Sequence, residues 1–329
     1  MLSLAQHHTF HLPSYGRTIT YFNSAAAFMA RYNPSQSTYI LGGGSNTIFL
    51  EDFDGHILIN DMRGICHHET EDHHRLSVSG GESWHDFVTK CTDMGWYGLE
   101  NLALIPGSVG ASPIQNIGAY GVEVCEFITE VEYIDLTTGT QHTLPNAECQ
   151  FGYRDSVFKH SLADTVLITK VHFALPKQWV PVCTYGELRE LEKPTARKIY
   201  DKVIEIRRSK LPDPSILGNA GSFYKNPVVS HTQFNSLKAK WPVIPGFQVA
   251  NGVKIPAAWL IDQCGFKGKS KGGVRCHPTQ PLVLTNTGKA TGSDVISLAQ
   301  DIIGEVYSKF SVLLEPEVRL VGKEGIISI

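Results

Sequence analysis

The run Ser37–Leu41 (STYIL) stops abruptly on Gly42-Gly43-Gly44-Ser45-Asn46. Glycine has no Cβ, so backbone N–H groups in such a loop can approach a phosphate closely; a plain tight turn would read the same way. The loop is not a P-loop, because no GK[ST] follows. It is not a nicotinamide-type strand–turn–helix either, because a second β-forming run, TIFL, comes next. A second loop, Pro106-Gly107-Ser108-Val109-Gly110-Ala111-Ser112, offers another set of N–H donors. Two such loops in one chain point to the pyrophosphate of a dinucleotide, with FAD the reading they favour.

The elements that must position these loops alternate between strands and helices. Besides STYIL and TIFL, strands are expected at His56–Asn60, Leu76–Val78, Val131–Leu136 and Val166–Leu175, with turn signals such as TTGT between the last two. Trp84, Phe87, Val88, Cys91 and Met94 recur at helical spacing and Gly95 is placed to end that helix. Ala196–Lys210 reads as a helix ending in Arg207, Arg208 and Lys210 and stopped by Leu211-Pro212-Asp213-Pro214, a pattern that often marks a domain joint. An apolar helix is expected near Ala257–Cys264. A last helix, Asp294–Phe310 capped by Ser293, turns Val295, Leu298, Ile302, Val306 and Phe310 inward. In the closing strand LLEPEVRL, Glu315, Glu317 and Arg319 share one face while Leu314, Val318 and Leu320 share the other. This mixed order indicates α+β architecture. From Leu104 to Val124 the only charged residue is Glu123, so this long loop is expected to be covered.

Bulk properties exclude several functional classes. At 329 residues the chain fits two or three packed units, with 42% hydrophobic and 19% charged residues, a globular composition. A net charge of −3 gives no general attraction for nucleic acid or an anionic membrane, so an anionic ligand needs a local site. No apolar run approaches the roughly 20 residues of a membrane span. The N-terminus lacks signal-peptide character, and a cytoplasmic protein is expected. The seven cysteines never form CxxC, which suits free thiols rather than disulfides or zinc. His67-His68 and His73-His74 flank an acidic turn; the reading is a solvated hairpin without metal.

The segments GGGSN, GLENLALIPGSVGASPIQNIGAYG, FGYRDSVFKH, TYGEL, KLPDP, GNAGSFYKNP, WLIDQCGFKG and LEPEVRL run in order from about residue 40 to about residue 320. Together they resemble the UDP-N-acetylenolpyruvoylglucosamine reductase family, in its longer form with a tyrosine-bearing loop. The resemblance implies a vanillyl-alcohol-oxidase-type (PCMH-type) FAD-binding fold in two subdomains, 1–61 with 311–329 and 62–206, plus an α+β substrate domain at 207–310. It implies NADPH-dependent reduction of the enolpyruvyl group of UDP-N-acetylglucosamine enolpyruvate to UDP-N-acetylmuramate, a peptidoglycan precursor. The enzyme would be a cytoplasmic monomer with no nucleic-acid or membrane partner.

The same resemblance carries residue roles. Arg154, Ser222 and Glu317 match the catalytic positions. Gly42, Gly43, Gly44, Ser45, Asn46, Pro106, Gly107, Ser108, Gly110, Ala111, Ser112, Ile114, Gln115 and Gly118 would contact FAD, noncovalently, since GGGSN holds no His or Cys for a flavin link. Tyr185, Lys210 and Asn226 would hold the substrate diphosphate, with Tyr120 near the flavin face. Each catalytic residue also has a plain structural reading. Arg154 could pair with Asp155 on the surface, Ser222 could cap a helix, and Glu317 could pair with Arg319 along a strand. A flavin oxidase of the same superfamily, or a sugar-nucleotide-binding protein without catalysis, are the other readings. Where the family has an N-terminal Asn-Thr-Phe, this chain has His8-Thr9-Phe10, followed by His11 where glycine is common.

Overall fold

The structure, a computed structural model, describes all residues from Met1 to Ile329. Two compact units are interleaved along the chain. One comprises residues 1–17, 44–54 and 210–329; the other comprises 18–43 and 55–209. No helix is long and apolar enough to cross a membrane, and all seven cysteines are free thiols.

The second unit is built on a five-stranded antiparallel sheet in the order Gln141–Pro145, Ile128–Asp135, Val166–Pro176, His73–Ser79, Ile65–Glu69. Alternate residues Leu76, Val78, Val131, Val171 and Phe173 are buried on one face, as the two-residue period of a strand requires. The helix Trp84–Met94 packs Trp84, Phe87, Val88 and Cys91 into the same core, joined by Ile199, Val203 and Ile206 of the helix Ala196–Lys210. Ser83 caps the first helix from its side chain, and Gly95 ends it at φ 79, where a Cβ would strain the backbone. A smaller core of Phe22, Phe28, Leu58, Met62, Ile134 and Leu167 lies beside the parallel pairing of Thr38–Leu41 with His56–Ile59.

The first unit combines three small sheets with the helix Gly292–Phe310. That helix buries Val295, Leu298, Ala299, Ile302, Val306 and Phe310 against Leu260, Ile261, Leu314, Val318 and Leu320. Burying each large aliphatic side chain contributes about 1.5–3 kcal/mol. Its cap is Thr291, not Ser293: the Thr291 hydroxyl accepts from Asp294 N while the Asp294 carboxylate accepts from Thr291 N, a reciprocal box. Gly292, the first residue of the helix, passes so close to the Leu50 carbonyl that a Cβ would sit 1.9 Å from its oxygen.

The closing strand is shorter than the alternation suggests. Only Arg319–Val321 pairs continuously, in parallel with Thr47–Phe49, since Pro316 has no N–H to donate. The alternation itself holds, with Leu314, Val318 and Leu320 buried. The near-neutral stretch after Leu104 is folded into its own unit as 3-10 turns at Val109–Ala111 and Val124–Glu126 and a two-stranded ribbon, Gly118–Ala119 with Val122–Glu123. Val109, Gly110, Ser112, Asn116 and Ile117 within it are buried.

Candidate active site

The two glycine loops meet within the second unit. A Cβ on Gly43 would stand 2.9 Å from Gly107 Cα, and one on Gly42 would stand 2.5 Å from Ser108 Oγ. A side chain at either position would therefore push the loops apart. Gly110 is equally constrained, since its Cβ would meet the backbone of Gly80 at 2.9 Å. Ser112 Oγ donates to Val109 O at 2.7 Å, fixing the second loop from inside. Pro106 is exposed and Ala111, Ile114, Gln115 and Gly118 are half-buried along the same stretch. This cradle of bare backbone suits a pyrophosphate, which is bound by N–H groups and excludes side-chain bulk.

At Gly44 the chain enters the first unit with φ +64, and a Cβ there would lie 2.0 Å from the His7 carbonyl oxygen. Thr9 anchors this segment. Its N–H donates to Gly44 O at 3.1 Å and its hydroxyl donates to Asn219 O at 2.7 Å. His8, which departs from the family pattern, is buried edge-on to Phe49, with Nε2 3.3 Å from Leu12 O. Burial holds its imidazole down at about 4. His11 adopts φ 54, which explains the glycine common at that place, and its ring bridges Ala5 O and Pro214 O.

Arg154 lies in the second unit with φ 54, left-handed backbone that a residue with a Cβ adopts only with support. Its Nη2 donates to Gly118 O at 2.6 Å and its Nη1 reaches Asn116 O at 3.5 Å. Asp155 turns to His160 at 2.8 Å, so the guanidinium is aimed into the glycine-rich stretch and not into an Arg154–Asp155 surface pair.

In the first unit the structure brings Ser222 and Glu317 to one place. Ser222 ends the strand Asn219–Ser222 and pairs with Val283, so it is not a helix cap. The next residues run antiparallel to the segment carrying Glu317: Glu317 N donates to Phe223 O at 2.8 Å and Lys225 N donates to Glu315 O at 2.9 Å. Asn46 is tied to the same segment, its Nδ2 donating to Glu317 O at 3.1 Å and its carbonyl accepting from Arg319 N at 2.9 Å. Ser45 lies beside it, half-buried.

Of the residues expected to hold substrate, Tyr120 and Tyr185 stand together in the second unit, their rings 6.1 Å apart and nearly perpendicular. Tyr185 is 51% exposed at the start of a single 3-10 turn, Gly186–Glu190. Lys210 is exposed at the end of its helix, where a cation complements the helix dipole. Asn226 has its side-chain carbonyl committed to Ala257 N at 2.8 Å, capping the helix Ala257–Gln263.

Three buried polar residues escaped the motif-by-motif reading. Asn101 donates to both Tyr120 O at 3.0 Å and Val182 O at 2.8 Å, tying the glycine-rich stretch to the base of the tyrosine segment. Glu100 beside it accepts from Gly98 N at 2.7 Å and from the Trp179 indole, and burial raises its pKa. Asn116 accepts from Cys125 N at 3.1 Å and donates to Glu123 and to Gly152 O, each at 3.0 Å, so it braces the Arg154 loop. The signal was present, since polar residues flanked by apolar ones in GLENLA and IQNIG must find partners when buried. Arg207 was expected only as one of the basic residues ending the helix Ala196–Lys210. It turns inward, donating from Nε to Leu104 O at 3.2 Å, and burial lowers its pKa.

Comparison with known proteins bears on this geometry. Residues 24–145 match the model of an FAD binding domain, and residues 213–321 match that of the UDP-N-acetylenolpyruvoylglucosamine reductase C-terminal domain. The chain is 51% identical to the UDP-N-acetylenolpyruvoylglucosamine reductase of Pseudoalteromonas atlantica over 98% of this chain and 94% of that one. It is 47% identical to the enzyme of the same name from Pasteurella multocida, over 99% and 97%. The crystal structure of UDP-N-acetylenolpyruvylglucosamine reductase from Thermus caldophilus shares the fold, with a TM-score of 0.66 at 20% identity and 97% coverage of each chain. The α+β architecture is thus an FAD-binding fold of the PCMH type joined to this C-terminal domain, and the chain belongs to the UDP-N-acetylenolpyruvoylglucosamine reductase family.

Proposed function

We infer that the chain is an FAD-dependent oxidoreductase that reduces the enolpyruvyl ether of UDP-N-acetylglucosamine enolpyruvate to UDP-N-acetylmuramate with NADPH, a step of peptidoglycan synthesis. FAD, when bound, supplies the hydride that NADPH has delivered to it. Gly42, Gly43, Gly44, Ser45 and Asn46 would hold its pyrophosphate with Pro106, Gly107, Ser108, Gly110, Ala111 and Ser112, and Ile114, Gln115 and Gly118 would contact the cofactor further along the same stretch. Binding is noncovalent. The observation that carries this reading is the back-to-back packing of Gly43 on Gly107, which leaves bare backbone where a diphosphate needs it.

The chemistry assigns the protein's own residues distinct tasks. As the terminal carbon of the enolpyruvyl group gains hydride, negative charge builds toward the carboxylate. Arg154, whose guanidinium is preset by Gly118 O, stabilises that charge. Glu317, when protonated, donates a hydrogen bond to the same developing enolate, its backbone fixed by Phe223 and Asn46. Ser222 Oγ gives its proton to the adjacent carbon as general acid, and a positioned acid contributes about 10²–10⁴-fold. Tyr185, Lys210 and Asn226 bind the diphosphate, with Tyr120 beside the reacting group.

Functionally the chain divides into an FAD part of 1–61 with 311–329 and 62–206, and a substrate part of 207–310. Lys210 opens the substrate part and Ser222 sits within it. The enzyme works as a monomer in the cytoplasm, without membrane or nucleic-acid partners, and its product serves cell-wall growth, and through it cell shape and division. Anaerobic mixing with NADPH should bleach the flavin, and the enolpyruvyl sugar nucleotide should restore its colour. Restoration by dioxygen but not by that substrate would refute the assignment.

A further inference from the structure

The hairpin joining Ile65–Glu69 to His73–Ser79 plays no part in the reduction, yet it gathers histidines on its inner face. In the antiparallel register Glu69 lies opposite His74 and His67 lies opposite Leu76, so His67, Glu69 and His74 share one side. His68 and Cys66 fall on the other side. The inner face is partly covered, while Glu69 on it keeps a side chain 56% exposed, open to solvent as expected of the hairpin. His67 stacks on the buried Trp96 at 4.1 Å between centroids, and the His74 side chain is only 14% exposed.

The donor atoms of this face converge. His67 Nε2 stands 3.2 Å from His74 Nδ1, and Glu69 Oε1 stands 3.7 Å from the same His74 nitrogen. All three ligand atoms lie within 4.8 Å of one another. Donors bound to tetrahedral zinc at about 2.0–2.2 Å stand about 3.2–3.6 Å apart, so the two shorter edges already have the size of a zinc polyhedron. Glu69 can present Oε1 to a cation while Oε2 keeps Lys177 Nζ at 2.9 Å, an outer contact that orients a ligating carboxylate. Trp96 holds the His67 ring in place in the same sense.

We propose that His67, Glu69 and His74 form a binding site for a divalent transition-metal ion, zinc by donor type, with two imidazoles, one carboxylate and a fourth position open to water. The direct imidazole–imidazole hydrogen bond is replaced on binding, as the donating ring moves its proton to its other nitrogen and both lone pairs face the metal. The site stands apart in sequence from every residue assigned to flavin or substrate, and its occupancy can be followed without turnover.

The test uses the FAD-loaded protein prepared without a histidine tag. Zinc sulfate alone is titrated in chelator-free buffer by calorimetry, and tryptophan emission is recorded in parallel. One zinc per chain should bind, with a change in emission that Trp96→Phe abolishes while leaving the calorimetric affinity within about threefold. His74→Gln and His67→Ala should each weaken binding at least about tenfold, and Glu69→Gln by a few-fold, while the outer-face double variant His68→Ala/His73→Ala should bind as wild type does. Should His67→Ala lose its fold, His74→Gln and Glu69→Gln, which keep the hairpin's volume, decide the matter. Failure of the wild type to bind zinc, retention of affinity in His74→Gln, or loss of binding in the outer-face variant would each overturn the site.

Discussion

Asn46 and Glu317, 271 positions apart, are joined by a hydrogen bond from Asn46 Nδ2 to the Glu317 carbonyl at 3.1 Å. The backbone of Asn46 also accepts from Arg319 N at 2.9 Å. The last residue of the glycine loop and the backbone of Glu317 are thus held by one short ladder. Asn46→Ala removes one neutral bond, worth about 0.5–1.5 kcal/mol, from a ladder whose backbone bonds remain. The expected outcome is a folded protein that keeps its flavin, with kcat lowered by roughly two- to tenfold. Loss of flavin and fold together would give Asn46 a purely structural role.

Gly43→Ala tests the cradle. The added methyl meets Gly107 Cα, a backbone atom that cannot rotate away. Overpacking of this kind costs about 1–3 kcal/mol. The variant should unfold at lower temperature and retain less flavin per chain after gel filtration. Full flavin content at unchanged stability would remove the cradle from FAD binding.

His8 sets an acid limb of stability. Its folded-state pKa is depressed to about 4 by burial, against about 6.5 in the unfolded chain. Above that ordinary value neither state binds the proton and His8 gives no pH dependence. As pH falls from 6.5 towards 4, the unfolded chain takes a proton that the folded protein refuses, so stability drops, by on the order of 3 kcal/mol in total. His8→Phe should flatten this part of the stability–pH profile in denaturant titrations between about pH 4 and pH 7. An unchanged slope would show that other groups carry it.

Asn101→Ala should loosen the link between the Tyr120 backbone and Val182. Losing two bonds of about 1 kcal/mol each should raise KM for the sugar nucleotide by up to about thirtyfold, with NADPH reduction of the flavin within about twofold of wild type. Tyr185→Phe should act in the same direction through the diphosphate, by one to two decades in affinity for a charge-assisted bond of about 1.5–3 kcal/mol. Equal damage to both half-reactions would place both residues in the fold.

Much of this was legible from the residue pattern because it rests on local chemistry. The helix Trp84–Met94 was readable from apolar spacing and Gly95, and Ala196–Lys210 from its basic end and the prolines that stop it. The cap at Thr291 was not, because Ser293 offers the same kind of hydroxyl two residues on and only the reciprocal Thr291–Asp294 bonds of the folded backbone choose between them. The closing strand was overextended because alternation reports burial, whereas strand pairing also needs the N–H that Pro316 lacks. Asn101 and Asn116 were missed because their partners, Tyr120, Val182, Glu123 and Gly152, are set by how loops close in space. The inward face of the histidine hairpin depended on Trp96, which no spacing rule connects to His67.

The central claim is that Ser222 protonates the substrate while the hydride comes by way of the flavin. Ser222 has no part in oxidising NADPH, whereas the second half-reaction leaves a carbanion-like centre that must gain a proton. The decisive measurement is anaerobic stopped-flow on Ser222→Ala, mixing first with NADPH and then with the enolpyruvyl sugar nucleotide while flavin absorbance is followed. Bleaching should run at close to the wild-type rate and recovery of colour should slow by about 10²–10⁴-fold, with Ser222→Cys regaining part of the loss. Recovery in Ser222→Ala as fast as in wild type would contradict the account and move the proton to water or Glu317.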